Sequence, residues 1–125
     1  MLVSPLISIV DDNQPFRDSM RTLVGLLGYT VATYSSARAF LASRLLLKTA
    51  CLIADVHMPE MTGVELFGHL LKLGHPIPTI LVTAYSNDAV RNRALQDGVV
   101  CYLSKPLDDE DLERCLQAAL SRHAN

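Results

Sequence analysis

No segment of the chain approaches the roughly 20 consecutive apolar residues that a bilayer-crossing helix needs. Nor does a basic stretch followed by a long apolar run open it. These absences give no sign of a helical membrane span or of a signal peptide, and they set the expectation of a soluble cytoplasmic protein. Charge of one sign is missing too. The 11 Lys and Arg against 13 Asp and Glu leave a formal charge of -2, which predicts no general affinity for nucleic acid or an anionic membrane. The three cysteines, Cys51, Cys101 and Cys115, form no C-x-x-C pair. They read as small buried hydrophobes in a reducing compartment. His69, His75 and His123 have no metal-ligand spacing and read as surface residues. No glycine- or hydroxyl-rich loop follows the first apolar run. Asp11-Asp12 stands there instead and would repel a phosphate without a metal, so a nucleotide or flavin binder is disfavoured.

What is present is enough for one domain: 125 residues, half of them hydrophobic. Five short β-branched or apolar runs read as strands: Leu6 to Val10, Thr30 to Tyr34, Cys51 to Ala54, Thr79 to Thr83 and Val99 to Leu103. Helical periodicity lies between and after them. Phe16, Met20, Leu23, Val24 and Leu27 recur at three- and four-residue steps behind Pro15, with Asn13 or Gln14 as cap and Gly28 as stop. Ser35-Ser36 caps a second helix carrying Ala39, Phe40 and Leu45 to Leu47. Thr62 caps a third, which Gly74 ends. Asn87 to Asp97 is a thinly apolar fourth, and Asp108 to Arg122 is the last. Strands alternating with helices predict an α/β fold with a parallel sheet and right-handed crossovers.

In such sheets ligands bind beyond the carboxyl ends of the strands. Those ends carry Asp11 and Asp12, Asp55, Thr83 and Lys105. Asp55 ends the most apolar run, where a carboxylate costs several kcal/mol unless something offsets it. Three carboxylates in contact call for a cation, and oxygen donors in a hydrated pocket suit Mg²⁺ or Mn²⁺. An ammonium and a hydroxyl beside such a cation make a cradle for a phosphoryl group. One carboxylate, Asp55, remains as nucleophile for an aspartyl phosphate.

These residues sit in I-V-D-D (Ile9 to Asp12), D-V-H-M-P-E-M-T-G (Asp55 to Gly63), L-V-T-A (Leu81 to Ala84) and Y-L-S-K-P-L (Tyr102 to Leu107). With them the chain resembles the response-regulator receiver domain of two-component signalling, a CheY-like module. The wording around I-S-I-V-D-D and Y-S-S-A-R-A-F-L is closest to the FixJ-like branch. The resemblance implies a flavodoxin-like, doubly wound, five-stranded parallel sheet in the order 2-1-3-4-5 with five helices. It implies a single receiver domain over residues 1–125, with no effector domain in this chain. Asp55 would be phosphorylated by a sensor histidine kinase or a phosphotransfer protein. Asp12 would be a direct Mg²⁺ ligand, Asp11 a ligand through water, and the His57 backbone carbonyl a further ligand. Thr83, Ala84 and Lys105 would bind the phosphoryl group, and the Lys105-Pro106 bond would be cis.

Thr83 and Tyr102 would switch the face of helix 4, strand 5 and helix 5, through which a homodimer could also form. In the FixJ-like branch this face commonly governs a DNA-binding output domain. A stand-alone receiver in a phosphorelay is the alternative. The domain itself would bind neither nucleic acid nor membrane, and it would be no enzyme beyond its own phosphotransfer and dephosphorylation. A phosphatase with an aspartyl-phosphate intermediate is disfavoured, since dehalogenase-like enzymes need an Asp where this chain has His57. His57 and Tyr85, each two residues past a site residue, are expected to tune the lifetime of the phosphate.

Overall fold

The computed structural model describes residues 4–124, with side chains through residue 122. The side chain of His123 therefore lies outside the described residues. The five apolar runs become β1 (Leu6–Val10), β2 (Thr30–Tyr34), β3 (Thr49–Asp55), β4 (Thr79–Thr83) and β5 (Cys101–Ser104). Between and after them run α1 (Gln14–Leu26), α2 (Ala37–Leu41), α3 (Gly63–Lys72), α4 (Asp88–Gln96) and α5 (Asp109–Ala124). All strand pairs are parallel, in the order β2-β1-β3-β4-β5. β3 is central and every one of its seven residues is buried, as a strand covered on both faces requires.

Alternate strand residues feed two apolar layers. Ile7, Ile9, Cys51, Ile53, Ile80 and Val82 pack with Met20 and Val24 of α1 and with Leu112 and Leu116 of α5. Val10, Leu52, Ala54 and Leu81 pack with Phe40 of α2, Leu66 and Phe67 of α3, and Ala94 of α4. The sheet is thus sandwiched, and its carboxyl-terminal edge is left free for chemistry.

Local signals set the helix starts. Asn13 caps α1 by accepting from the Phe16 N–H at 2.9 Å. Thr62 and Glu65 form a reciprocal capping box on α3, at 3.1 and 2.9 Å. Asp108 accepts from the Glu110 and Asp111 N–H groups at the head of α5.

Several boundaries differ from the sequence reading. β3 begins two residues earlier, at Thr49, and includes Asp55, which pairs with Val82 of β4. β5 begins at Cys101 rather than Val99, because the Val99 N–H is taken by Ala94 at the end of α4. α2 stops at Leu41, and Leu46–Lys48 forms a separate 3-10 turn. The apolar Leu45 to Leu47 run therefore does not extend α2. Leu46 is buried and Leu47 exposed.

A further correction concerns the cysteines. Only Cys51 is free and buried. Cys101 of β5 and Cys115 of α5 form a disulfide, their Cα atoms 6.1 Å apart. They stand 14 positions apart in sequence, and no motif marks the pair. Only the docking of α5 back onto the sheet brings them together.

Tyr102, next along β5 from Cys101, points to the opposite face and packs in the α3/α4 layer. Its hydroxyl is buried with no hydrogen-bond partner among the described residues. Leaving such a group unpaired costs about 1–3 kcal/mol. Tyr102→Phe is accordingly expected to raise stability by about 1 kcal/mol in urea denaturation. A loss of stability would show that the hydroxyl is satisfied in solution.

Candidate phosphoacceptor site

At the carboxyl edge of β1 and β3, oxygens of Asp11, Asp12 and Asp55 lie within 4.8 Å of one another. The three carboxylates differ in surroundings. Asp11 is fully buried. Its Oδ1 accepts from the Asn13 N–H at 2.8 Å, and its Oδ2 accepts from Lys105 Nζ at 2.8 Å. Arg17 Nη1 donates to its backbone carbonyl at 2.6 Å. Asp12 is exposed and Asp55 is 5 % exposed. Asp55 Oδ2 stands 3.9 Å from Lys105 Nζ, and Oδ1 receives only a long 3.4 Å hydrogen bond from the His57 N–H.

Burial pushes the Asp55 carboxyl above its ordinary range. The Asp11 charge pushes the same way, and Lys105, the His57 N–H and Asp12 contribute less, the first two downward and the last upward. Lys105 thus balances Asp11 more closely than Asp55, and Asp55 is the under-compensated carboxylate of the group. Hard oxygen donors at this spacing, one exposed and one short of positive charge, fit a divalent cation of the Mg²⁺ class.

The loop after β3 is tied to the strand. The Val56 N–H donates to the Val82 carbonyl at 2.8 Å and the Gly63 N–H to the Val56 carbonyl at 3.3 Å. Thr83 is fully buried at the end of β4. Its hydroxyl is held in a local loop, donating to the Tyr85 carbonyl at 3.2 Å and accepting from the Tyr85 N–H at 3.0 Å. The Lys105 N–H donates to the Thr83 carbonyl at 2.8 Å, which sets the lysine's backbone beside the threonine. The Lys105-Pro106 bond is cis. Ala84 is exposed between Thr83 and Tyr85. The His57 and Tyr85 rings meet edge to face at 5.6 Å, both exposed, linking the β3 and β4 loops.

Two site neighbours went unread in the sequence. Phe16 lies under Lys105, with Nζ 4.0 Å from the ring centroid, a cation–π contact worth about 0.5–2 kcal/mol. Arg17 holds the Asp11 carbonyl. Phe16 reads in the sequence as an ordinary core-facing helix residue. Its signal, an aromatic one turn beyond Asp12 at the head of a helix, gains meaning only once β5 delivers Lys105 above it.

Residues 7–117 match the family described as the response regulator receiver domain. The chain belongs to the response regulator receiver family. The response regulator protein TmoT of Ectopseudomonas mendocina is 36% identical over 115 residues, 92% of this chain and 52% of that protein. The transcriptional regulatory protein FixJ of Rhizobium meliloti is 32% identical over 123 residues, 95% of this chain and 60% of that protein. The chain thus spans about half to three-fifths of the length of these relatives. Among solved structures, the crystal structure of FixJ-N matches with a TM-score of 0.86 at 31% identity, over 96% of each chain. The response regulator StyR matches at 0.87 and 30% identity, over 98% of this chain and 62% of that one. The receiver fold and its strand order are therefore those of CheY-like proteins. Among the described residues, no helix of this receiver is long and apolar enough to cross a membrane.

Proposed function

We propose that this receiver is a phosphoacceptor switch, phosphorylated on Asp55 by a partner histidine kinase or a phosphotransfer protein. The supporting observation is the under-compensated Asp55 carboxylate at the end of the central strand, beside Lys105 and two further carboxylates.

In the transfer, an Asp55 oxygen attacks the phosphorus of a phosphohistidine or a small acyl phosphate. The new O–P bond forms as the donor's bond to phosphorus breaks and its electron pair leaves on the imidazole or carboxylate. Asp11, Asp12, Asp55 and the His57 carbonyl would hold Mg²⁺ or Mn²⁺, which when bound neutralises charge on the phosphoryl oxygens. Lys105, steadied by Asp11 and Phe16, pairs with those oxygens. The Thr83 hydroxyl exchanges its local Tyr85 carbonyl partner for a phosphoryl oxygen, and Ala84 lies beside it in the phosphate-binding loop. That movement opens space near Tyr102, whose buried but unpaired hydroxyl makes its inward position a shallow minimum. The two packings of Tyr102 bias the face of α4, β5 and α5. That face transmits the signal, by homodimerisation and by control of a DNA-binding output unit. The names of the FixJ relatives support this reading, since they are transcriptional regulators. The chemistry is the domain's own modification, with no metabolic substrate, and its setting is cytoplasmic.

Incubation with acetyl phosphate and Mg²⁺, followed by intact mass measurement, is expected to show a gain of one phosphoryl group that a chelator prevents. A folded protein that gains nothing would overturn the proposal. Hydrolysis of the phosphoaspartate requires water to reach it past the His57 and Tyr85 rings. His57→Ala and Tyr85→Ala are each expected to shorten the phosphate lifetime several-fold, read by the decay of the phosphorylated mass. Unchanged lifetimes would remove both from this role.

A further inference from the structure

Cys101 and Cys115 lie in the α1/α5 layer, away from the acceptor carboxylates. Among the described residues β5 is an edge strand, hydrogen-bonded to β4 alone, and Cys101 is only partly buried on it. The Cα separation of 6.1 Å is one that a bridge spans without backbone movement. The bridge is not what holds α5 in place. Leu112, Leu116 and Ala119 of α5 are completely buried against the sheet. β5 is zipped to β4 through four residue pairs. With the bond open, the two thiols would occupy the same sites as small apolar side chains. Both redox forms are therefore compatible with one fold.

Cys51 supplies the contrast. It is wholly enclosed on the central strand, and burial pushes its thiol up to about 12, so it offers almost no thiolate for exchange.

We propose that Cys101 and Cys115 are a reversible redox clasp that ties β5 to α5, exchanging with low-molecular-weight disulfides of the glutathione type. In closure, one cysteine thiolate attacks a sulfur of the oxidant. The oxidant's S–S bond breaks and one thiolate leaves. The second cysteine thiolate then attacks the mixed disulfide and expels the second thiol. Two electrons pass from the cysteine pair to the oxidant, and the two protons given up by the cysteines end on the two released thiols. The closed clasp grips β5 from the face opposite Tyr102, because successive strand residues point to opposite sides. It thus restrains the strand that carries both Tyr102 and, just beyond its end, Lys105.

The site is chemically independent of the acceptor. It is tested by equilibrating the folded protein in glutathione buffers of graded redox ratio, quenching with acid, denaturing, and alkylating the free thiols. Alkylated cysteines are expected to fall from three to one, the survivor being Cys51. A non-reduced peptide map should contain the Cys101–Cys115 link, and dithiothreitol added to the folded oxidised protein should restore three reactive thiols. The oxidised form should melt about 10 °C above the reduced form, as expected for closing a loop of this length. That difference should vanish in Cys115→Ala and persist in Cys51→Ala. Three alkylated thiols at every ratio, a link containing Cys51, or a bond that dithiothreitol cannot open in the folded state would each overturn the clasp.

Discussion

Asp55→Asn is expected to abolish phosphate uptake completely and, in metal-free buffer, to leave the fold more stable than the parent. The two outcomes have one cause. Asp55 ends the fully buried central strand and lies against Asp11, with Lys105 nearer to Asp11 than to itself. Burial first, and the Asp11 charge second, raise its carboxyl above the ordinary value of 3.8. Between that value and its raised folded value, the native state holds a proton that the unfolded chain has released. By linkage, native stability then falls as pH rises through that window, and the cost persists above it. Asparagine keeps the shape and carries no charge, so the variant should lack this fall. It also lacks the anionic oxygen proposed to attack phosphorus. Urea denaturation across the window, alongside intact mass after acetyl phosphate treatment, reads both effects. A variant that loses uptake because it unfolds would be the opposite result on the first measurement. One that still gains a phosphoryl group would move the acceptor to another residue.

Gly63→Ala is expected to destabilise the protein by about 3 kcal/mol, lowering its melting temperature by about 10 °C. Gly63 opens α3 at the point where the helix returns beneath the end of β3. A Cβ added there would overlap the Asp55 carbonyl oxygen. It would also stand 3.0 Å from the Asp55 carbonyl carbon and 3.1 Å from a Leu81 methyl. The first two are backbone atoms of the central strand, so no flexible side-chain tip can yield. Relief requires α3 to back away, which breaks the Gly63 N–H bond to the Val56 carbonyl and moves the loop carrying His57. Phosphate uptake should therefore slow together with the loss of stability. An unchanged urea midpoint would mean that the α3 start moves without cost. Gly68, where an added Cβ meets nothing within 4 Å, serves as control: its alanine variant should be neutral or slightly stabilising, since alanine favours a helix interior.

Much of this could be read from the chain before its fold was known. The alternation of apolar runs with helical stripes predicts the parallel sheet, because period two and period 3.6 place side chains on different faces. Asn13 and Thr62 each cap a helix through contacts three residues ahead, a range that sequence displays directly; Asn87, read as the first residue of the fourth helix, caps it instead. The four strand ends bearing Asp11, Asp12, Asp55, Thr83 and Lys105 were legible for a topological reason: parallel strands all present their carboxyl ends to one edge.

The sequence by itself determined the layer order, the strand ends and the chemical types assembled at them. Those follow from local periodicity and from chain direction. Only the tertiary structure decided how the charges are shared. Lys105 spans 94 residues to reach Asp11 and rests on the Phe16 ring, which leaves Asp55 the least compensated of the buried carboxylates. The docking of α5 onto the sheet joined Cys101 to Cys115, two residues that read separately as plain core. Partners distant in sequence leave no periodic trace, since their distance is set by how helices seat on the sheet. Composition names the groups at this site, and packing sets which of them carries unbalanced charge.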